Sequence, residues 1–226
     1  MVSVLAFDTA GNGCSAAVLR DGKIVAERFA AMARGQSEQL LPMIATVLGE
    51  AGLAMTALNL IAVTVGPGAF TGLRIGIAAA RGLALASGVP VLGVTSFAAV
   101  AAQVPRRAYA GRTLVVALDS RRAELYLQAF DGDGVPLGDG ALVAPAGLAH
   151  WIPSGPLLLA GDAAPTLAAA LAARHPEIAS GPGIAHAADI ARLGAAAWRP
   201  HLRPPAPRPL YLRAPDTTVP REGAGR

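Results

Sequence analysis

Two aspartates, Asp8 and Asp119, end the apolar runs VLAFD and VVALD, and a hydroxyl residue, Thr9 or Ser120, follows each. At the end of a strand such a carboxylate is placed as in nucleotide-hydrolysing enzymes, where it holds metal and phosphate. The alternative is an aspartate that only forms a turn. Asp8-Thr9 continues into Ala10-Gly11-Asn12-Gly13, a loop able to face a nucleotide, so Asp8, Thr9 and Asp119 are the candidate cofactor-binding residues. The other distinctive segment is GPGAFTGLRIG, residues 66–76. A Gly-rich turn opening a helix can hold a phosphate on its backbone amides. The segment lacks the GxxxxGK[ST] spacing and its lysine, so it is not a P-loop, and a tight structural turn is the simpler reading. Thr71 reads as the N-cap of the helix, with Phe70 and Ile75 as a hydrophobic staple across it. Other catalytic equipment is sparse. His150, His175, His186 and His201 form no HxxxH or HExxH pair, Cys14 lies in an apolar strand, and no GxSxG elbow occurs.

The elements that must position these residues repeat. Residues 2–8, 14–20 and 23–29 read as strands, the last two joined by the hairpin signal Asp21-Gly22. A helix over 37–51, a strand over 60–65, a helix over 72–87, a strand over 89–94 and a short helix to about Gln103 follow. Pro42 fits the first of these helices only near its first turn. Pro105, Arg106, Arg107 and Gly111 mark a linker. Beyond it a strand again leads to an aspartate, Asp119, and a second strand to an acidic glycine turn, Asp131-Gly132. Self-similarity of this kind indicates a duplicated unit of βββαβα type. The expected organisation is an N-terminal lobe over 1–103, a C-terminal lobe over 104–213 and a disordered tail over 214–226. Asp8 and Asp119 should face one cleft between the lobes. In the second lobe 156–161 reads as a strand, and 163–174 and 187–198 as helices.

Composition limits the functional classes. The hydrophobic share is 53% with 15% charge, which excludes wholesale disorder. Eighteen arginines and one lysine, Lys23, leave a formal charge of +4, too mild to argue alone for a nucleic-acid partner. A single cysteine suits a reducing compartment. The N-terminus has no basic n-region, and no apolar stretch is long enough for a membrane span, so a cytoplasmic location with no membrane partner is expected.

The first helix of the first lobe carries more apolar surface than one sheet can cover, and the second adds a mixed face. The first presents Leu40, Met43 and Val47 among others. In the second, Gly72, Gly76, Ala80, Ala84 and Gly88 form a ridge almost without side chains, as close i±4 packing requires. Arg74, Ile77, Ala78, Arg81 and Leu85 occupy the adjacent face. Arg74 is read in the first turn, where the helix dipole disfavours a cation. Leu40, Met43, Val47, Arg74, Ile77, Ala78 and Arg81 are therefore the candidate partner-binding residues, in a four-helix contact with an equivalent pair.

Together FDTAGNGCSAAVLRDG, QSEQLLPMI, VTVGPGAFTGLRIGIAAARGLA, ALDSRRAELY and PLYLR resemble the TsaB family, also called YeaZ, over residues 1–213. The resemblance implies an α/β actin/Hsp70-like (ASKHA) fold of two RNase H-like lobes. It also implies a non-catalytic role in forming threonylcarbamoyladenosine in tRNA. The chemistry would belong to a TsaD-type catalytic paralogue, a TsaE-type ATPase would join the assembly, and tRNA would be reached indirectly. A homodimer could use the same surface when the partner is absent. No cofactor of its own is implied, and ATP or ADP at the interface is the one to consider. The histidine pair of the paralogue's metal site is missing, and Gln36 stands where family members commonly carry His. The rival class is an enzyme of the same fold, either a small-molecule kinase or ATPase or a metallopeptidase. A kinase would need a second Gly-rich adenosine loop, of which Gly161-Asp162 is a fragment, and a peptidase would need the missing histidines. A nucleic-acid-binding module would interleave stacking aromatics with basic residues, and the tail offers only Tyr211.

Overall fold

A computed structural model describes residues 2–181 and 183–213. The expected disordered tail, 214–226, lies outside them. The chain opens with β1 (Ser3–Asp8), β2 (Gly13–Arg20) and β3 (Lys23–Ala31). Next come α1 (Gln36–Ala51), β4 (Leu60–Gly66), α2 (Phe70–Ser87), β5 (Val91–Thr95) and α3 (Ser96–Ala101). A short helix, α4 (Arg106–Tyr109), leads to β6 (Thr113–Asp119), β7 (Leu125–Phe130), β8 (Ala141–Val143) and α5 (Leu148–Trp151). The described chain then adds β9 (Leu157–Ala160), α6 (Ala164–Ala170), β10 (Glu177–Ile178) and α7 (Ala187–Ala197).

The strands form two five-stranded sheets, ordered β3-β2-β1-β4-β5 and β8-β7-β6-β9-β10. In each, the first three strands are antiparallel and the last two run parallel to the first, so pairing senses and order match throughout. This is the duplicated α/β unit of the actin/Hsp70-like fold. The β2–β3 hairpin closes through Asp21 and Gly22, both at positive φ, 49° and 79°, as a two-residue turn matched to strand twist requires.

The strands at the centre of the first sheet are covered on both faces, which is why they read as continuous apolar runs. Leu5 and Phe7 of β1 face α1 and α2, and Val4 and Ala6 face α7. Thus α7, read from sequence within the second lobe's span, packs on the first lobe's sheet. Gly194 makes this possible, because a Cβ there would come within 2.9 Å of Ala62 Cβ. In the second sheet Val115 and Ala117 face α5 and α6, while Leu114 and Val116 face Phe97 and Val100 of α3. The 103–112 stretch, read as a linker, is packed: α4 lies within it, and Val104 and Tyr109 are buried in the second core.

Several local boundaries differ from expectation. The helix read as 163–174 stops at Ala170, and a 3-10 turn covers Ala172–Arg174. Pro42 lies in the second turn of α1, with Thr46 Oγ1 donating to its carbonyl at 2.9 Å. Helix α2 starts at Phe70 with Ala69 as N-cap and no side-chain cap, so Thr71 is inside the helix and does not cap it. Phe70 then cannot serve in a staple across Thr71, and stacks instead on Tyr211.

Candidate functional site

The ends of β1 and β6 are built alike. Asp8 Oδ1 accepts the Ala10 N–H at 3.1 Å, and Asp119 Oδ1 accepts the Arg121 N–H at 2.6 Å. Both aspartates therefore form the same turn, and the loops that follow meet across the lobes, where Arg121 donates to Asn12 Oδ1 at 2.7 Å.

The two carboxylates differ in setting. Asp119 is exposed, whereas Asp8 is buried. Burial raises the Asp8 pKa above the ordinary carboxylate value, opposed by the Thr64 hydroxyl, the Ala10 and Gly11 amides and the charge of His186. Thr9 is also buried, and its hydroxyl donates to Gly72 O at 2.7 Å. Asp8 and Thr9 are thus turned into the fold, because α2 closes over their loop. A Cβ at Gly76 would lie 2.7 Å from Thr9 Oγ1, and one at Gly68 would lie 2.6 Å from Ala10 O. The glycine ridge read as a close-packing surface meets the protein's own loop.

Asp162 is a further acid at this point. Its carboxylate accepts the Asp119 N–H at 2.9 Å, and burial raises its pKa, as does the Asp119 charge. Only Gly161-Asp162 hinted at it in the sequence. The space enclosed by Asn12, Ser96, Asp119 and Asp162 is about 40 Å³. Small-molecule pockets commonly occupy roughly 300–1,000 Å³.

The candidate partner residues fall into three groups. Leu40, Val47 and Ile77 are core residues, with Val47 0% and Ile77 3% exposed. Their placement on an outer face is corrected: Leu40 and Val47 pack with Leu5 and Phe7 over the sheet. Met43 is half-buried against the same core, whereas Ala78 is exposed. Arg74 and Arg81 are exposed but engage the chain's own C-terminal segment. Arg81 donates to Pro207 O at 2.5 Å, and Arg74 Nε donates to Tyr211 OH at 3.2 Å. Arg74 also lies 3.8 Å from the Phe70 ring centroid. Since α2 begins at Phe70, Arg74 is in its second turn, and a ring face and a phenol oxygen, not a carboxylate, receive its charge.

The C-terminal segment, whose path the sequence leaves open, crosses back to the first lobe and forms part of this face. Leu210 N–H bonds Val65 O at 2.7 Å, and Tyr211 stacks on Phe70 with ring centroids 4.8 Å apart. A lone tyrosine in a proline- and arginine-rich tail was its sequence signal. The apolar or small residues exposed on the two helices include Leu41, Pro42 and Ala45 from α1, with Ala78, Gly82 and Leu85 from α2. Leu85 is 89% and Leu41 54% exposed.

A larger cavity, about 730 Å³, opens at the N-terminal ends of α1 and α2, lined by Gly35, Gln36, Phe70, Thr71, Arg121 and Tyr211 among others. Among the described residues, no group of three or more His, Cys, Asp or Glu side chains gathers as metal ligands would. No described helix is long and apolar enough to cross a membrane.

Comparison with known proteins gives this geometry a family. A family model described as TsaD, tRNA N6-adenosine threonylcarbamoyltransferase, matches residues 24–158. The tRNA threonylcarbamoyladenosine biosynthesis protein TsaB of Escherichia coli is 38% identical over 130 residues, 58% of this chain and 55% of that protein. The chain thus aligns with about half the length of that relative. An uncharacterized Mycobacterium tuberculosis protein is 35% identical over 219 residues, 95% of this chain and 93% of its own. The solved structure of YeaZ from Pseudomonas aeruginosa superposes with a TM-score of 0.78 at 31% identity, covering 94% of this chain and all of that one. The likeness extends over nearly the whole chain, and the chain belongs to the TsaB (YeaZ) family.

Proposed function

We propose that this chain is the non-catalytic partner subunit for threonylcarbamoyladenosine formation in tRNA, docking on a TsaD-type catalytic paralogue through the outer faces of α1 and α2. The observation that carries the reading is the apolar pair of helix faces left uncovered by the fold. Leu41, Pro42 and Ala45 are outward on one helix, and Ala78, Gly82 and Leu85 on the other. Small residues at 78 and 82 allow another helix to approach closely. A paralogue with the same unit would offer an equivalent pair, giving a pseudo-symmetric four-helix contact. A second copy of this chain could take that place when the partner is absent. Contacts of this kind bury roughly 1,200–2,000 Å² in total.

The packing of α2 on the Asp8-Thr9 loop supports a supporting role over a catalytic one, because it occupies the first lobe's half of the cleft. On this reading the chain has no cofactor of its own. ATP or ADP, where one takes part, belongs at the interface with the partner, and Asp119 is the exposed acid left to face it. A TsaE-type ATPase joins the assembly, which works in the cytoplasm. The test is capture of the tagged full chain from its native cell. Stoichiometric recovery of the paralogue, and loss of threonylcarbamoyladenosine from tRNA on depletion of the chain, are expected. Normal modification after depletion would overturn the proposal.

A further inference from the structure

The cavity at the N-terminal ends of α1 and α2 is basic. Its wall includes Arg34 and Arg121, against Asp119 as the acid among its lining residues, and Arg122 and Arg213, which line it too, are engaged with partners of their own. Arginine presents a planar fork of donors that matches phosphate oxygens. Arg34 is exposed, and neither it nor Arg121 is ion-paired with a carboxylate among the described residues. Asp119 spends one carboxylate oxygen on the Arg121 N–H, so it only partly offsets this charge.

The backbone adds to the same field. Gly35 and Ala69, the N-caps of the two helices, make no side-chain cap hydrogen bond, so both positive helix ends open toward the arginines. The α1 end has a local anion in Glu38, whose carboxylate lies near Gly35, whereas the first turn of α2 holds no acid.

The aromatic residues tell which phosphate-bearing ligand fits. Phe70 is stacked on Tyr211 and lies under Arg74, and Tyr126 is buried. These rings are engaged with one another or with the core, which leaves no paired platform for a free base. A cavity of about 730 Å³ whose arginines come from separate chain segments can meet more than one phosphate at once. That arrangement suits the backbone of a nucleic-acid strand.

From this we infer that the arginine-walled cavity between the α1 and α2 N-termini binds the phosphate backbone of RNA, a direct contact between this subunit and the tRNA. The inference rests on the tRNA-modification reading for the identity of the RNA, and on the cavity alone for its chemistry.

The test is binding of an unmodified tRNA transcript to the full chain across a salt series, with Arg34→Gln, Arg34→Lys and the Arg34→Gln/Arg121→Gln pair as variants. The double variant should bind tRNA about tenfold more weakly, and the slope of log K against log salt should fall by roughly two ions. Arg34→Lys should retain most of the affinity. Unchanged affinity and slope in the double variant would overturn the inference. So would ATP alone binding tightly in an Arg34-dependent manner, which would make the cavity a nucleotide site. If the double variant melts early, Arg34→Gln decides alone, because its side chain is exposed. Capture of the paralogue by the same variants is read in parallel. Capture kept with tRNA affinity lost supports the inference, and capture lost together with tRNA affinity makes the cavity part of the docking face and overturns it. Failure of the wild-type chain to capture any paralogue would count against the proposed function instead.

Discussion

Thr9 donates its hydroxyl hydrogen to the carbonyl oxygen of Gly72 at 2.7 Å, pinning the loop after β1 to the first turn of α2. The contact needs glycine on the helix side, since a Cβ at 72 would run into the Thr9 backbone. Gly72→Ala should therefore cost about 1–3 kcal/mol through overpacking. Gly82 is the control, because an added Cβ there meets nothing within 4 Å. Gly82→Ala should stabilise the chain by about 0.5–1 kcal/mol through helix propensity. Urea denaturation of both variants checks the pair, and equal shifts of the same sign would contradict the packing described.

The buried Asp8 gives a pH signature. Its folded pKa is raised above the unfolded value near 3.8, so the folded state holds the proton more tightly. Stability from this group is present below the unfolded pKa and is lost as pH rises toward the folded one. Asp162 acts in the same direction. Asp8→Asn should remove its share of that loss. The melting temperature of the variant relative to wild type should rise as pH increases from about 4. A difference constant with pH would mean that Asp8 titrates normally.

Cys14 is buried in β2, and burial together with the Asp8 charge pushes its thiol up to about 11. At neutral pH the thiolate fraction is small and access is closed. A thiol reagent should leave the native chain unlabelled and modify one site in denaturant. Rapid labelling of native protein would show that β2 opens.

Much of this fold was legible because the duplication is written in local chemistry. Asp8 and Asp119 end apolar runs, and the Asp21-Gly22 turn can close only a two-residue hairpin. Pairwise packing was not legible. Leu40, Val47 and Ile77 have the same residue types and periodicity whether they face a sheet or a partner, and only the sheet's reach decides. Nor could local sequence show that α7 returns to the first sheet, or that Arg74 and Arg81 hold residues 207–211, more than a hundred positions away. Such contacts depend on where the chain ends up after both lobes form.

Tyr211 should accordingly matter to the surface of α2. Tyr211→Ala removes the ring stacked on Phe70 and the acceptor for Arg74. We expect a modest loss of stability, about 1–2 kcal/mol, comparable to an aromatic pair with its hydrogen bond. Proteolysis within the segment after Arg199 should become faster. Wild-type resistance there would show that the segment is held by other contacts.

The central claim, docking through the outer faces of α1 and α2, is tested most directly by comparing three charge substitutions. Leu85 and Ala78 are exposed, and Val47 is in the core. Leu85→Asp and Ala78→Asp should leave the melting temperature near wild type and weaken binding to the catalytic paralogue at least tenfold, read by titration calorimetry. Val47→Asp should instead unfold the chain, because it buries an unpaired charge. Wild-type affinity for the paralogue in folded Leu85→Asp and Ala78→Asp proteins would contradict the claim and place the interface on another surface.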